Sequence, residues 1–380
     1  MPQSVLHFPS DPKALQPASS PGASPSTTSS LQGPKRLAWR ILQTSSWMIG
    51  ASIFAGLLVL PEIGLHAFWN VLIPIVPALF VFAPGLWRNV CPLGSTALFP
   101  GHIGFSPRLR LSSKWQTWLN LIGVILLFLV MPFRHVLLNA SGFATATTLM
   151  LIAIGALVLG WLFEGKSGWC SGACPVFQVE KLYGSDPALT VQNAHCSHCE
   201  RCVSPCTDSV TTPYPFPDYR DSLRNLVPLL MLGAFPGYLW GWFHVPDYTA
   251  GEGWQHLDLV FGYPLLGAGV TLLAFLGLQK ALPRRFHASL MKGFAAGTVS
   301  CYYWYRIPAL VGLGLFPGDG MLINLAFSLP DWFESASRMA TTGLFFWWFF
   351  RLKEKQRAWM VRPVFAKRIS GSPEGIILKK

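Results

Sequence analysis

Charge is what this sequence most lacks. Asp, Glu, Lys and Arg make up 12% of its 380 residues, against about 25% in an average soluble protein. So few charged side chains cannot cover a soluble surface. With 51% apolar residues, 16 Trp and 27 Phe, the shortage argues against a disordered chain, a coiled coil and a nucleic-acid-binding domain. It points to an all-α polytopic membrane protein. Other absences narrow the chemistry. No phosphate-binding glycine loop, zinc-protease motif or Ser-His-Asp pattern is apparent. The eight Cys are not spread as a disulfide framework would spread them: four fall between Cys196 and Cys206, three are Cys91, Cys170 and Cys174, and Cys301 stands alone.

Residues 1 to about 36 are rich in Ser, Pro, Thr and Gly and poor in large apolar side chains. Such a segment buries too little surface to offset its ordering entropy, which predicts a disordered tail. It does not read as a signal peptide. Eight apolar stretches follow, near 42–60, 68–86, 115–132, 143–163, 225–243, 258–279, 290–315 and 331–350. Each is close to the length that crosses about 30 Å of hydrocarbon. Arg306 and Pro308 interrupt the seventh, and Asp331, Glu334 and Arg338 open the eighth, so a seven-span count stays open. The resulting plan is a tail (1–36), spans one to four (37–163), a long loop (164–224), spans five to eight (225–350) and a basic tail (351–380).

The net charge of +12 is informative through its placement. With the N-terminus in the cytoplasm, all 29 Lys and Arg except Arg134, Arg306 and Arg338 fall in the tails, in the loops after spans two, four and six, or at the start of span seven. That asymmetry follows the positive-inside rule. It predicts a multi-pass membrane protein with both termini cytoplasmic. The opposite loops carry His66, His135, His244, Asp247, Glu252, His256 and Asp319. Seven of the Cys then face a reducing compartment, where thiols serve as metal ligands or redox groups before disulfides.

Cys196, Cys199, Cys202 and Cys206 form a C-x2-C-x2-C-x3-C run, the bacterial ferredoxin spacing for a 4Fe–4S cluster. Structural zinc is the competing use of such thiols. Cys170 and Cys174 form C-x3-C-P at the end of span four. Cys91-Pro92-Leu93-Gly94 repeats the tail of that pattern after span two, with Trp87 where a first Cys would stand. Seven thiols cannot supply the eight ligands of two all-Cys cubes. One cluster is expected on Cys196, Cys199 and Cys202, with Cys206 or a C-x3-C-P cysteine as the fourth ligand. A second site can be drawn from Cys91, Cys170 and Cys174 plus one further group. If spans two and four pack together, these three thiols should lie within about 10 Å of one another, close enough for shared ligation after small adjustments.

The segments Trp87–Gly94, Trp169–Pro175 and Cys196–Cys206 resemble the membrane-bound polyferredoxin-like proteins. That group includes the NosR-type nitrous-oxide reductase regulators, the NapH-type membrane subunits of quinol dehydrogenases, and oxidase-assembly iron–sulfur proteins. The resemblance spans roughly residues 68–210. It implies electron transfer between the quinone or quinol pool and a redox partner protein, in the manner of a quinol dehydrogenase subunit. An iron–sulfur assembly or regulatory factor for a respiratory metalloenzyme is the alternative, and a transporter with a structural metal is a third reading. Membrane lipid is the expected surrounding, and no nucleic-acid partner is expected.

Other residues carry weaker signals. His195 and His198 flank the cluster run and read mainly as solvated loop residues. His66, His135, His244 and His256 lie near span ends, which disfavours a haem pair and leaves a quinone site conceivable. Arg306 reads as a snorkelling side chain paired with Asp319, Asp331 or Glu334, with a quinone headgroup or an anion as the functional option. Cys301 reads as packing. Gly237/Gly241 and Gly293/Gly297 are G-x3-G pairs that allow helices to approach closely.

Overall fold

A computed structural model describes residues 33–109, 111–195, 226–249, 251–316, 318–351 and 359–361. They form a helical bundle. The helices are α1 (Pro34–Val59), α2 (Pro61–Phe82), α3 (Pro84–Val90), α4 (Pro92–His102), α5 (Lys114–Leu138), α6 (Gly142–Leu162), α7 (Phe177–Tyr183), α8 (Leu226–Phe243), α9 (Glu252–Ala281), α10 (His287–Leu310) and α11 (Phe333–Phe350). Among the described residues the one sheet is a two-residue parallel pair, β1 (Val191–Gln192) with β2 (Met360–Val361).

The starts of these helices follow from local chemistry. Pro34, Pro61, Pro84 and Pro92 each open a helix, where a missing N–H costs nothing. Ser112 Oγ accepts from the Trp115 N–H at 3.4 Å to cap α5, and Ser141 Oγ accepts from the Ala144 N–H at 3.2 Å to cap α6. α1 begins at Pro34, so the expected tail ends slightly earlier than residue 36. Residues 1–32 lie outside the described residues.

Six helices are long and apolar enough to cross a membrane: α1, α2, α5, α6, α8 and α9. They match the first six expected spans. The seventh and eighth stretches form α10 and α11, which pack against each other, but neither reaches that apolarity. α10 carries Lys292 and Arg306 among Gly, Ser and Tyr residues, and α11 carries Glu334 and Arg338. Eight spans are therefore not established. The bilayer-facing character of the others is explicit on α9, where Leu265, Leu266, Val270 and Leu273 stay exposed and would be costly in water. These helices describe a membrane-embedded, all-α protein.

The core gathers around α8. Met231, Leu232, Phe235 and Tyr238 are buried with residues of α2, α5, α7, α9, α10 and α11. A Cβ on Gly237 would collide with the Gly267 carbonyl, and one on Gly241 with that of Tyr263. The first G-x3-G pair thus lets α8 lie backbone to backbone on α9. The second does not act this way: Gly297 faces open space and Gly293 meets only the edge of Phe350.

The described part of the long loop is built into the bundle. Trp169–Ala173 forms a π-helical turn, α7 follows, and Phe177, Leu182 and Tyr183 are buried. The Tyr183 hydroxyl donates to the Met231 carbonyl.

Candidate functional site

Polar and basic side chains of several elements meet at one end of the bundle. Gln43 of α1 donates to the Asn89 carbonyl at 3.0 Å, Lys166 donates to the Arg88 carbonyl at 3.3 Å, and Arg351 pairs with Asp186 at 3.3 Å. Three of the four described cysteines lie here. Cys91 ends α3, and Cys170 and Cys174 lie on and just after the π-helical turn. A Cβ on Gly94 would sit 3.9 Å from Cys91 Sγ and 3.7 Å from Cys170 Sγ, so these two sulfurs flank one glycine. Cys174 lies near enough to both to interact electrostatically.

Burial pushes the Cys91 thiol up to about 12, against hydrogen bonds from the Gly94 and Leu93 backbone and with Cys170 and Glu180 adding to the rise. Burial likewise raises Cys174 well above its ordinary value, and Glu180, Cys91 and Cys170 add to it. A buried ion pair braces this end. Arg88 Nη1 donates to Glu180 Oε2 at 2.6 Å and to the Cys170 carbonyl at 3.1 Å, and Arg88 Nη2 donates to Ser171 Oγ at 3.1 Å. The guanidinium lies over the rings of Phe177 and Trp359.

The first described neighbour of the ferredoxin run is held at the same end. Ala194 N–H donates to Asn89 Oδ1 at 3.1 Å, and His195 Nε2 lies 3.2 Å from the Asn89 carbonyl and 3.3 Å from Gln43 Nε2. His195 is buried, not solvated as its loop position suggested. Asn89 is the reason, because it draws the segment under α3. Cys196, Cys199, Cys202, Cys206 and His198 lie outside the described residues. Among those described, no three or more His, Cys, Asp or Glu side chains stand close enough to hold a metal ion. Among the described residues, Cys91, Cys170 and Cys174 share a neighbourhood without forming a complete site.

A second constellation occupies the opposite end. α5 begins beside the cysteines, where Gln116 donates to the Ser171 carbonyl. It ends in a π-helical turn at Arg134–Leu138, about 27 Å further on at 1.5 Å per residue. There Arg134 Nη2 pairs with Asp247 Oδ2 at 3.2 Å, and His135 Nδ1 lies 2.6 Å from Asp247 Oδ1. Burial alone would raise the Asp247 carboxyl, but Arg134 and His135 outweigh it and hold it below its ordinary value. The Asp247 N–H donates to Asp319 Oδ2 at 2.7 Å. Arg306, at 3% exposure, donates to the Trp69 carbonyl and to Asn70 Oδ1, and Asn70 donates to the Met321 carbonyl at 3.0 Å.

Arg306 is thus a buried tie between α2 and α10, not a snorkelling side chain. Glu334 pairs with Arg338 instead. Arg134, His135, Asp247, Arg306 and Asp319 line one half-open cleft of about 390 Å³, mouth included, whose remaining walls are largely apolar or aromatic.

His66, His244 and His256 do not line this cleft: His244 packs on Trp240 and Tyr305, His256 stacks on Tyr248, and His66 contacts Asn70, the partner of Arg306. Cys301 packs against the main core, as its sequence position suggested. Sequence reasoning missed the Arg88–Glu180 pair and the grouping around Asp247. An Arg-His dipeptide at one span end with a lone Asp at another was the available signal.

The fold defines a membrane-embedded helical bundle with a polar constellation at each end. Comparison with known proteins finds no matching family model, no matching curated protein and no matching solved structure.

Proposed function

We propose that this chain is a membrane-bound iron–sulfur protein of electron transfer. It carries a 4Fe–4S cluster on Cys196, Cys199, Cys202 and Cys206 at the cytoplasmic end of a bundle in the bacterial inner membrane. Cys91, Cys170 and Cys174 stand beside it as a relay or as alternative ligands. The observation that carries this reading is the meeting of separate sequence segments. Asn89, two residues before Cys91, holds Ala194 and His195, and Cys91 faces Cys170 across Gly94. His195, the residue before the C-x2-C-x2-C-x3-C run, therefore lies at the end of the bundle where the other three thiols lie.

The cluster supplies one-electron exchange when bound, and this chain's part is to hold it beside the membrane. Arg88 and Glu180 keep the π-helical turn and α3 in register. The opposite end is about 27 Å away along α5, so electrons reach that side through a quinone pool or a redox partner protein. Anaerobic purification with iron and sulfide analysis tests the proposal. Cys199→Ser should abolish the iron–sulfur signal and Cys301→Ser should leave it intact. Full iron content in Cys199→Ser protein would refute it.

A further inference from the structure

The segment between α10 and α11 folds back against the bundle. Arg306 lies four residues before the end of α10 at Leu310, and a Cβ on Gly320 would fall on its Nη1. The next carbonyl, that of Met321, accepts from Asn70 at 3.0 Å. Asn70 follows Pro61, the start of α2, by nine residues, so this contact lies about 13 Å along that helix. The Leu322 and Ile323 N–H groups donate to the Leu310 carbonyl at 2.9 and 3.0 Å, and the Leu325 N–H donates to the Val311 carbonyl at 3.0 Å. Gly312 and Gly320 have φ of 88° and 65°, which lets the chain reverse where a side chain would be strained.

What this return leaves outside is apolar. No charged residue stands between Gly320 and Pro330. Leu322, Ile323 and Trp332 are exposed, and Phe327 is 99% exposed, an arrangement that water opposes. Much of the backbone is already satisfied. The Ala326 N–H donates to Asn324 Oδ1 at 3.2 Å, and the Ser328 and Leu329 N–H groups donate to the Leu325 carbonyl at 2.9 and 3.0 Å. Amides paired in this way lose little on leaving water. Trp332, Met339 and Phe346 follow at seven-residue spacing on one face of α11, and all three are exposed.

We propose that residues 320–332 lie in the interfacial layer of the bilayer, at the end of the bundle away from Cys91, with Ile323 and Phe327 reaching the acyl chains. Trp332 sits at headgroup level beside Asp331 and the Glu334–Arg338 pair. Reach favours lipid over a second copy of this chain. The exposed apolar stripe runs on from the loop down α11, which is about 27 Å long, close to the hydrocarbon thickness, and has no charged residue after Arg338. The inference rests on the membrane-embedded fold and is independent of the iron–sulfur reading.

The test puts p-benzoylphenylalanine in place of Phe327 in the full chain, held in phosphatidylcholine nanodiscs. Under ultraviolet light the benzophenone inserts into nearby C–H bonds. Mass spectrometry should find the 327 peptide joined to phospholipid. The same reporter in place of Thr249, an exposed residue of the loop before α9, should give no lipid adduct. No adduct at position 327, equal yields at the two positions, or a crosslink to a second copy in place of lipid would each overturn the proposal. Hydroxyl-radical labelling of the unmodified protein needs no variant. Phe327 should lose in nanodiscs the labelling it shows in the SDS-denatured chain, and retained labelling would also overturn the proposal.

Discussion

Arg88 and Glu180 are both buried, at 5% and 2% exposure, and their contact at 2.6 Å compensates the loss of water by each. Removing one partner strands the other, so Arg88→Ala or Glu180→Ala should cost about 3–5 kcal/mol. The double variant Arg88→Leu with Glu180→Leu should cost clearly less than the two single changes added together. Denaturant titration of the detergent-solubilised protein checks this, and additive losses would contradict it.

At the other end, burial and the charge of Asp247 push the Asp319 carboxyl up to about 6, against the hydrogen bond from the Asp247 N–H and the pull of Arg134. A raised carboxyl means that the folded state holds the proton more tightly than the unfolded chain. The associated stability is fully present below the ordinary value of 3.8 and is lost as pH rises through about 6. Asp319→Asn should remove this pH-dependent loss, seen as a flatter thermal midpoint between pH 4 and pH 7 than the unmodified protein shows.

At the scale of elements, α8 and α9 meet through glycine. Gly237 and Gly267 each face the other's carbonyl, and Gly241 faces that of Tyr263. Backbones this close gain dispersion contacts that a larger side chain would forbid. Gly237→Leu or Gly241→Leu should force the helices apart and lower the yield of folded, monodisperse protein. Gly297→Leu, which enters open space, should have little effect. Size-exclusion profiles of the three variants decide this, and equal damage at all three would refute it. The pairing was legible at Gly237 and Gly241 but not its absence at Gly293 and Gly297, because a G-x3-G spacing marks one face of a helix without saying what lies against that face.

For the whole molecule, the basic residues of α1, α3, the 164–195 segment and the end of α11 collect at one end, while Arg134 and Arg306 lie together at the other. If the first end is cytoplasmic, reporter fusions at both termini and within residues 164–224 should report cytoplasmic placement. A fusion near Asp319 should report the opposite side. A shared location for all four fusions would overturn the orientation.

Apolar run length placed the first six spans from sequence alone, because a bilayer demands a near-constant apolar length. Cysteine spacing also raised the expectation of a ligand run at Cys196–Cys206. Only the tertiary structure decided what meets across the chain. Arg88 reaches Glu180 over 92 positions, Arg134 reaches Asp247 over 113, and Arg306 reaches Asn70 over 236. A buried charge finds its partner through helix packing, and packing of this kind leaves no periodic trace in the sequence.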